Sequence, residues 1–264
     1  MASEPKNTGR AVDLNSDMGE SFGVYPMGVD NEVLRWVTSA NVACGWHGGD
    51  PAVMRATVRR AKELGVAVGA HPGYPDLLGF GRRVMQISQE EARDYTVYQI
   101  GALRAFAEAQ GLRLQHVKAH GALYNAAVKD PELSRGIAEG VAEAGRELIL
   151  VGLPGSEIIK AGRALGLRVA REAFGDRAYN EDGTLVSRKI PGSLITDPDA
   201  VAQRVLDMAA EGRIIAITGK PIRVEADTIC LHGDTPGAPA IARRVHERLK
   251  AAGLRLTPMA AFVA

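Results

Sequence analysis

Cysteine is scarce in this chain: Cys44 and Cys230 are the only two among 264 residues. Two thiols cannot build the disulfide framework of a small secreted domain, so a reducing cytosol is the expected compartment. Aromatic residues make up 5%, too few for the stacking platform that single-stranded nucleic acid or a long sugar chain requires. An excess of one charge is missing too. Thirty-two Lys and Arg stand against 31 Asp and Glu, a formal net charge of +1, which leaves no large footprint for nucleic acid or an anionic membrane. No apolar run approaches the roughly 20 residues of a membrane helix. The polar start MASEPKNTGR lacks the apolar core of a signal peptide. These absences predict a cytoplasmic protein that acts on a small molecule or a protein partner, with residues 1–10 as a flexible tail.

Apolar residues and glycine are plentiful. With 46% hydrophobic and 24% charged residues the chain can bury a large core, and a single domain over residues 11–264 is expected. Thirty glycines are about 11% of the chain against roughly 7% on average. Many crowd a few turns. Short apolar runs predict strands at residues 11–15, 39–43, 66–70, 113–118, 147–151, 167–171 and 228–231. Segments of helical period fall between them, near 50–64, 88–110, 131–144, 155–165, 197–211 and 237–252. Pro51 suits a first helical turn, and Ser88 with Glu91 makes a capping-box pattern. Residues 214–226 break the rhythm around Thr218-Gly-Lys-Pro221 and read as a hairpin insertion.

Seven strands with intervening helices could close into a barrel or lie open as a doubly wound sheet. The polar residues decide between them. Asn15 and Asp17 follow the first strand, His47 the second, His71 the third, Lys118 and His120 the fourth, Glu172 the sixth, and His232 with Asp234 the seventh. Parallel barrels gather their catalytic groups on one such rim, whereas an open sheet concentrates them at a switch point. Strand alternation agrees. Asp13, Asn15 and Asp17 share a face, as do His116, Lys118 and His120, and those faces look into the barrel. A lysine there needs an acid, and Asp13, Asp17 and Glu172 are available.

Four histidines stand beside Gly, Pro or Asp in turns: GWHGGDP, GAHPGYPD, KAHGALYN and CLHGDTPGA. The glycines of NVACGWHGGDP strip side chains away and are expected to expose His47. His246, in the charged segment RRVHERLK, is expected on the solvated surface, and His116 reads equally as structural or functional. Asp50 and Asp234 are also placed to cap helices. No Gly-x-x-x-x-Gly-Lys-Ser/Thr phosphate loop and no Gly-x-Ser-x-Gly elbow occurs. Metal stays open, because histidines with Asp17 or Asp234 are ligand types for zinc, assembled across strands.

Together the blocks DLNSDMGESFG, SANVACGWHGGDP, GAHPGYPD, HVKAHGALYN, REAFGDRAYNEDGTLVSR and CLHGDTPGA resemble the LamB/YcsF family over residues 11–258. The resemblance implies a single-domain α/β fold, a seven-stranded β/α barrel akin to the glycoside hydrolase and deacetylase barrels. It also implies an ATP-dependent 5-oxoprolinase activity, in which ATP with Mg2+ is co-substrate and subunits B and C are partners in converting 5-oxoproline to L-glutamate. Opening a lactam needs a base for water, an acid for the leaving nitrogen and cations for the anionic groups. Asp17, His47, Lys118 and His120 are the expected catalytic residues, with Asp17 as base and Lys118 with Arg177 on anions. Asn15, Asn41, His71, Glu172, Arg177, His232 and Asp234 are expected to bind substrate. Two alternatives remain at this point: a metal-dependent amide or N-acetyl hydrolase, and a non-catalytic subunit that only binds 5-oxoproline.

Overall fold

A computed structural model describes residues 9–264. Of the expected tail, residues 1–8 lie outside the described residues, and the Arg10 carbonyl already accepts a hydrogen bond from Arg255 N at 3.0 Å. Six strands follow in order: β1 (Ala11–Met18), β2 (Ser39–Ala43), β3 (Ala67–His71), β4 (Leu114–Lys118), β5 (Ile149–Gly152) and β6 (Val169–Phe174). The antiparallel hairpin β7 (Arg213–Ile215) and β8 (Pro221–Arg223) stands apart as the insertion the sequence predicts. Strand β9 (Thr228–Cys230) then pairs in parallel with both β6 and β1, which closes a seven-stranded barrel. A tenth strand, β10 (Arg255–Leu256), extends the sheet alongside the start of β1.

The helices are α1 (Asp30–Val33), α2 (Pro51–Leu64), α3 (Gln89–Glu108), α4 (Gly121–Ala127), α5 (Pro131–Ala144), α6 (Glu157–Ala164), α7 (Pro198–Glu211) and α8 (Ala238–Ala251). Three of them begin with the same device. Asp50, Asp130 and Asp197 each accept backbone N–H groups of the first turn, and each is followed by a proline whose missing donor costs nothing there. Ser88 and Glu91 form the expected capping box of α3. Asp234 caps nothing, because α8 starts after Gly237 without a side-chain cap.

Leu14, Val42, Val68, Val117 and Leu150 are buried in the large apolar layer between strands and helices. The opposite face is the barrel lumen. In parallel register Lys118 sits beside Val151 and His116 beside Ile149, so these four share the lumen. Ile149, Val151 and Ala170 form a small apolar cluster there with Met259 and Val263 from the C-terminal segment. The rest of the lumen is polar: Asp13, Asn15, Ser39, Asn41, His116, Lys118, Glu172 and Thr228 are all buried.

Candidate active site

The lumen is filled by one continuous hydrogen-bond network. Asp13 accepts the hydroxyls of Thr38 (2.6 Å), Ser39 (2.6 Å) and Thr228 (2.5 Å). Burial outweighs these donors and pushes its carboxyl up to about 6. One layer higher, Asn15 donates to Thr228 Oγ1 (2.7 Å) and Glu172 Oε1 (3.1 Å) and accepts from Asn41 Nδ2 (2.7 Å). Asn41 also donates to Asp17 Oδ1 (2.8 Å) and accepts from His116 Nε2 (2.7 Å). Gln115 Nε2 donates to the other ring nitrogen of His116 at 3.1 Å, so this imidazole is satisfied while neutral. Burial pushes it down to about 3. His116 is therefore a structural residue of the lumen.

Lys118 ends β4 between two carboxylates, with Nζ 2.9 Å from Asp17 Oδ1 and 2.9 Å from Glu172 Oε1. It also donates to Cys230 Sγ at 3.3 Å. Burial alone would push the ammonium down, but Asp17, Cys230 and Glu172 hold it well above the usual lysine range. Asp17 moves the other way: against its burial, His71 and Lys118 hold its carboxyl well below the usual range. Each partner thus favours the charged form of the other.

His47, His71 and His120 converge on a residue that sequence reasoning missed, Glu20. Its Oε1 lies 3.2 Å from His47 Nε2, 3.2 Å from His120 Nδ1 and 4.0 Å from His71 Nε2. His71 Nε2 lies 3.1 Å from His120 Nδ1 and 3.4 Å from Asp17 Oδ2. The available signal was Glu20's position in DLNSDMGE, three residues past Asp17 and beyond the end of β1. His47 itself corrects an expectation, since it is fully buried. Its glycines admit protein backbone, not solvent: a Cβ at Gly48 would sit 2.7 Å from the Glu20 carbonyl, and one at Gly49 2.7 Å from the Gly19 carbonyl. Burial first, and then neighbouring His120, push its imidazole down to about 3.

Above this layer opens a cleft of about 820 Å³, lined by Asp17, His71, Lys118, His120, Tyr124, Phe174, Arg177 and His232, with Arg82, Arg188 and Lys189 at its edge. Asn15, Asn41, Glu172 and His47 do not line it. Asn15, His47 and Glu172 were expected on the rim and Asn41 to bind substrate, but all four are fully buried. Arg177 belongs to the β6–α7 strap, residues 175–197, and donates Nη2 to the Val186 carbonyl at 2.7 Å. Its buried Nε has no partner among the described residues. Asp234 sits between Arg82 (2.7 Å) and Arg188 (3.5 Å) at the mouth. His246 is another correction: it is half-buried, with Nδ1–H donated to the Trp36 carbonyl at 3.1 Å.

His232 carries a second residue that the sequence reading missed. Its Nδ1–H donates to Asp176 Oδ1 at 2.7 Å, and the Thr235 hydroxyl donates to Asp176 Oδ2 at 2.6 Å. Despite burial, His232 holds the Asp176 carboxyl below the usual range. The ring stacks on Phe174 with centroids 5.6 Å apart. An imidazole fixed this way keeps Nε2 as its lone-pair nitrogen, the arrangement of an oriented proton acceptor.

Among the described residues no helix is long and apolar enough to cross a membrane. The chain is similar to known proteins over almost its whole length. The protein is 57% identical to the A subunit of the 5-oxoprolinase of Pyrococcus furiosus over 252 residues, 96% of this chain and 99% of that one. It is 52% identical to the corresponding chain of Campylobacter jejuni, again over 96% of this chain and 99% of that one. Among solved structures, the lactam utilization protein from Thermus thermophilus superposes with a TM-score of 0.90 at 51% identity, covering 94% of this chain and 99% of that one. The model of the LamB/YcsF family matches residues 12–264, and the chain belongs to that family.

Proposed function

We propose that this chain is the lactam-opening subunit of a cytoplasmic, ATP-dependent 5-oxoprolinase, working with subunits B and C to convert 5-oxo-L-proline to L-glutamate. One observation carries the reading: a braced histidine, His232 on Asp176, shares a cleft with the Lys118–Asp17 pair and with arginines that can take anions. The names of the relatives support the substrate. Net lactam hydrolysis is driven by ATP, supplied with Mg2+ as co-substrate.

The chemistry assigns roles to the residues. Phosphoryl transfer from ATP to the lactam oxygen makes the ring carbon electrophilic. Water adds to that carbon and its proton passes to His232 Nε2. The C–N bond then breaks, the ring nitrogen takes that proton, and an acyl phosphate is left for a second water to cleave to carboxylate and inorganic phosphate. Asp17, expected as the base, is too strongly held in its ionised form to accept a proton readily. It serves instead as a fixed negative charge for the ammonium of Lys118 and the amine that forms. Lys118, already balanced by Asp17 and Glu172, orients Asp17. The substrate carboxylate and the phosphate fall to Arg177, Arg188 and Lys189.

The test measures glutamate and ADP from 5-oxoproline and ATP with this chain alone, with subunits B and C alone, and with all three. Glutamate from the complete mixture only is expected. Replacing Asp176→Asn should then lower kcat about 100-fold or more with little change in KM, because the brace on His232 is lost. Full turnover by B and C alone would overturn the proposal.

A further inference from the structure

The ligand atoms of Glu20, His47, His71 and His120 all lie within 4.8 Å of one another. His71 spends its Nδ1–H on the Lys118 carbonyl at 2.7 Å, and His120 spends its Nε2–H on the Phe80 carbonyl at 2.8 Å. When neutral, both therefore aim lone pairs inward, His71 Nε2 at His120 Nδ1 across 3.1 Å and His120 Nδ1 at Glu20 Oε1 across 3.2 Å. Acceptors facing acceptors at hydrogen-bond distance repel, and burying them together is costly without a cation between them. Asp17, 3.4 Å from His71 Nε2, adds a second negative charge beside Glu20. Either a proton on His71, whose imidazole Asp17 holds above the usual range despite burial, or a metal ion supplies the positive charge this arrangement needs.

We propose that Glu20, His47, His71 and His120 form a site for one divalent transition metal of the zinc type. Three imidazoles and a carboxylate are the donor set that such ions prefer. Metal–ligand bonds of about 2.0–2.2 Å in a tetrahedron place the donor atoms roughly 3.3–3.5 Å apart. Four of the six separations between donor atoms are 3.1, 3.2, 3.2 and 4.0 Å, and all six are within 4.8 Å. The carbonyl partners of His71 and His120 are the outer contacts that fix a ligating tautomer. His47 stacks parallel to His120, with centroids 3.6 Å apart and 4° between planes, so ligation turns one of the two rings. The buried His47 Nδ1 has no partner among the described residues. The neighbouring group of Asp17, Cys230 and His232 is different: Lys118 Nζ, 2.9 Å from Asp17 and 3.3 Å from Cys230, already supplies its cation.

Four protein ligands fill a tetrahedral ion, so this metal holds and orients; its influence on the cleft runs through His71 to Asp17. This differs from a metal-dependent hydrolase built on His232 or Asp234. Nothing in the donor set depends on the lactam reading.

The experiment uses the purified full chain, stripped with chelator and titrated with Zn2+ by calorimetry and with Co2+ by visible absorption. One ion per chain is expected, with the intense bands of four-coordinate cobalt. Glu20→Gln and His120→Gln should each weaken binding at least 100-fold, and His232→Gln should not. Thermal melting checks that each variant folds; for one that does not, X-ray absorption of the cobalt-loaded natural chain supplies the test through its count of imidazole ligands. No stoichiometric binding, binding unchanged in both variants, fewer than three imidazoles, or binding lost in His232→Gln would overturn the site. None of these readouts uses 5-oxoproline, so failure of the lactam reading would leave the metal result standing.

Discussion

His116 shows what a buried polar residue does when its partners are complete. Its ring takes one hydrogen bond from Gln115 and gives one to Asn41, and the bond from Gln115 is lost if a second proton arrives. The imidazole is pushed from 6.5 down to about 3. The unfolded chain therefore binds this proton below about 6.5 while the folded chain refuses it until about 3. Stability from this group is full above 6.5 and is lost as pH falls through that window. At pH 4.5 the loss is roughly 3 kcal/mol, taking about 1.4 kcal/mol for each unit. Asp13, pushed up to about 6, acts in the opposite sense, so the whole protein's pH curve mixes the two. A difference between chains isolates His116. His116→Gln should be less stable than the natural chain at pH 7, and urea unfolding should show that gap shrinking by roughly 3 kcal/mol at pH 4.5. An equal gap at both values would refute the assignment.

At the scale of the elements, the same ring explains a glycine. Gly69 lies on β3 beside Asn41 in register, and a Cβ there would sit 2.2 Å from His116 Nε2. Gly69→Ala must displace the ring and break its bond to Asn41, at a cost of about 2–5 kcal/mol from overpacking and an unpaired buried group. Gly101, inside α3, faces open space, and Gly101→Ala should stabilise by about 0.5–1 kcal/mol. Urea midpoints that moved in the same direction for both would contradict this account. Particular elements also show what was legible in the sequence. Helix α5 and strand β2 have the bounds the sequence predicts, because Asp130-Pro131 and the run SANVA mark their own limits. The rim histidines were found because each follows a strand. Helix α4 and strand β10 were not predicted: α4 is 7 residues long and β10 only 2, and their order comes from packing on the barrel. Which rim residue faces the cleft was also hidden. That depends on how strands and loops far apart in sequence come together, which buried Glu172 and Asn41 and left the loop residues Glu20 and Asp176 unnoticed.

At the scale of the whole molecule, a formal charge of +1 gives almost no long-range attraction for an anionic substrate. Any electrostatic capture must come from the cleft mouth, where the exposed Arg82, Arg188 and Lys189 outnumber the neighbouring Asp234. These groups are wet, and salt screens them: the Debye length falls from about 14 Å at 0.05 M to roughly 4 Å at 0.5 M. The Lys118 pairs below are buried and feel little of that change. Salt therefore separates capture from chemistry within one protein. Over that range KM for 5-oxoproline in the complete enzyme should rise about 3-fold while kcat stays level. Arg188→Gln should flatten the salt dependence of KM without altering that of kcat. If salt instead lowered kcat at constant KM, the charges that matter would lie at the reacting centre or between subunits, and the strap would have no part in taking up the substrate.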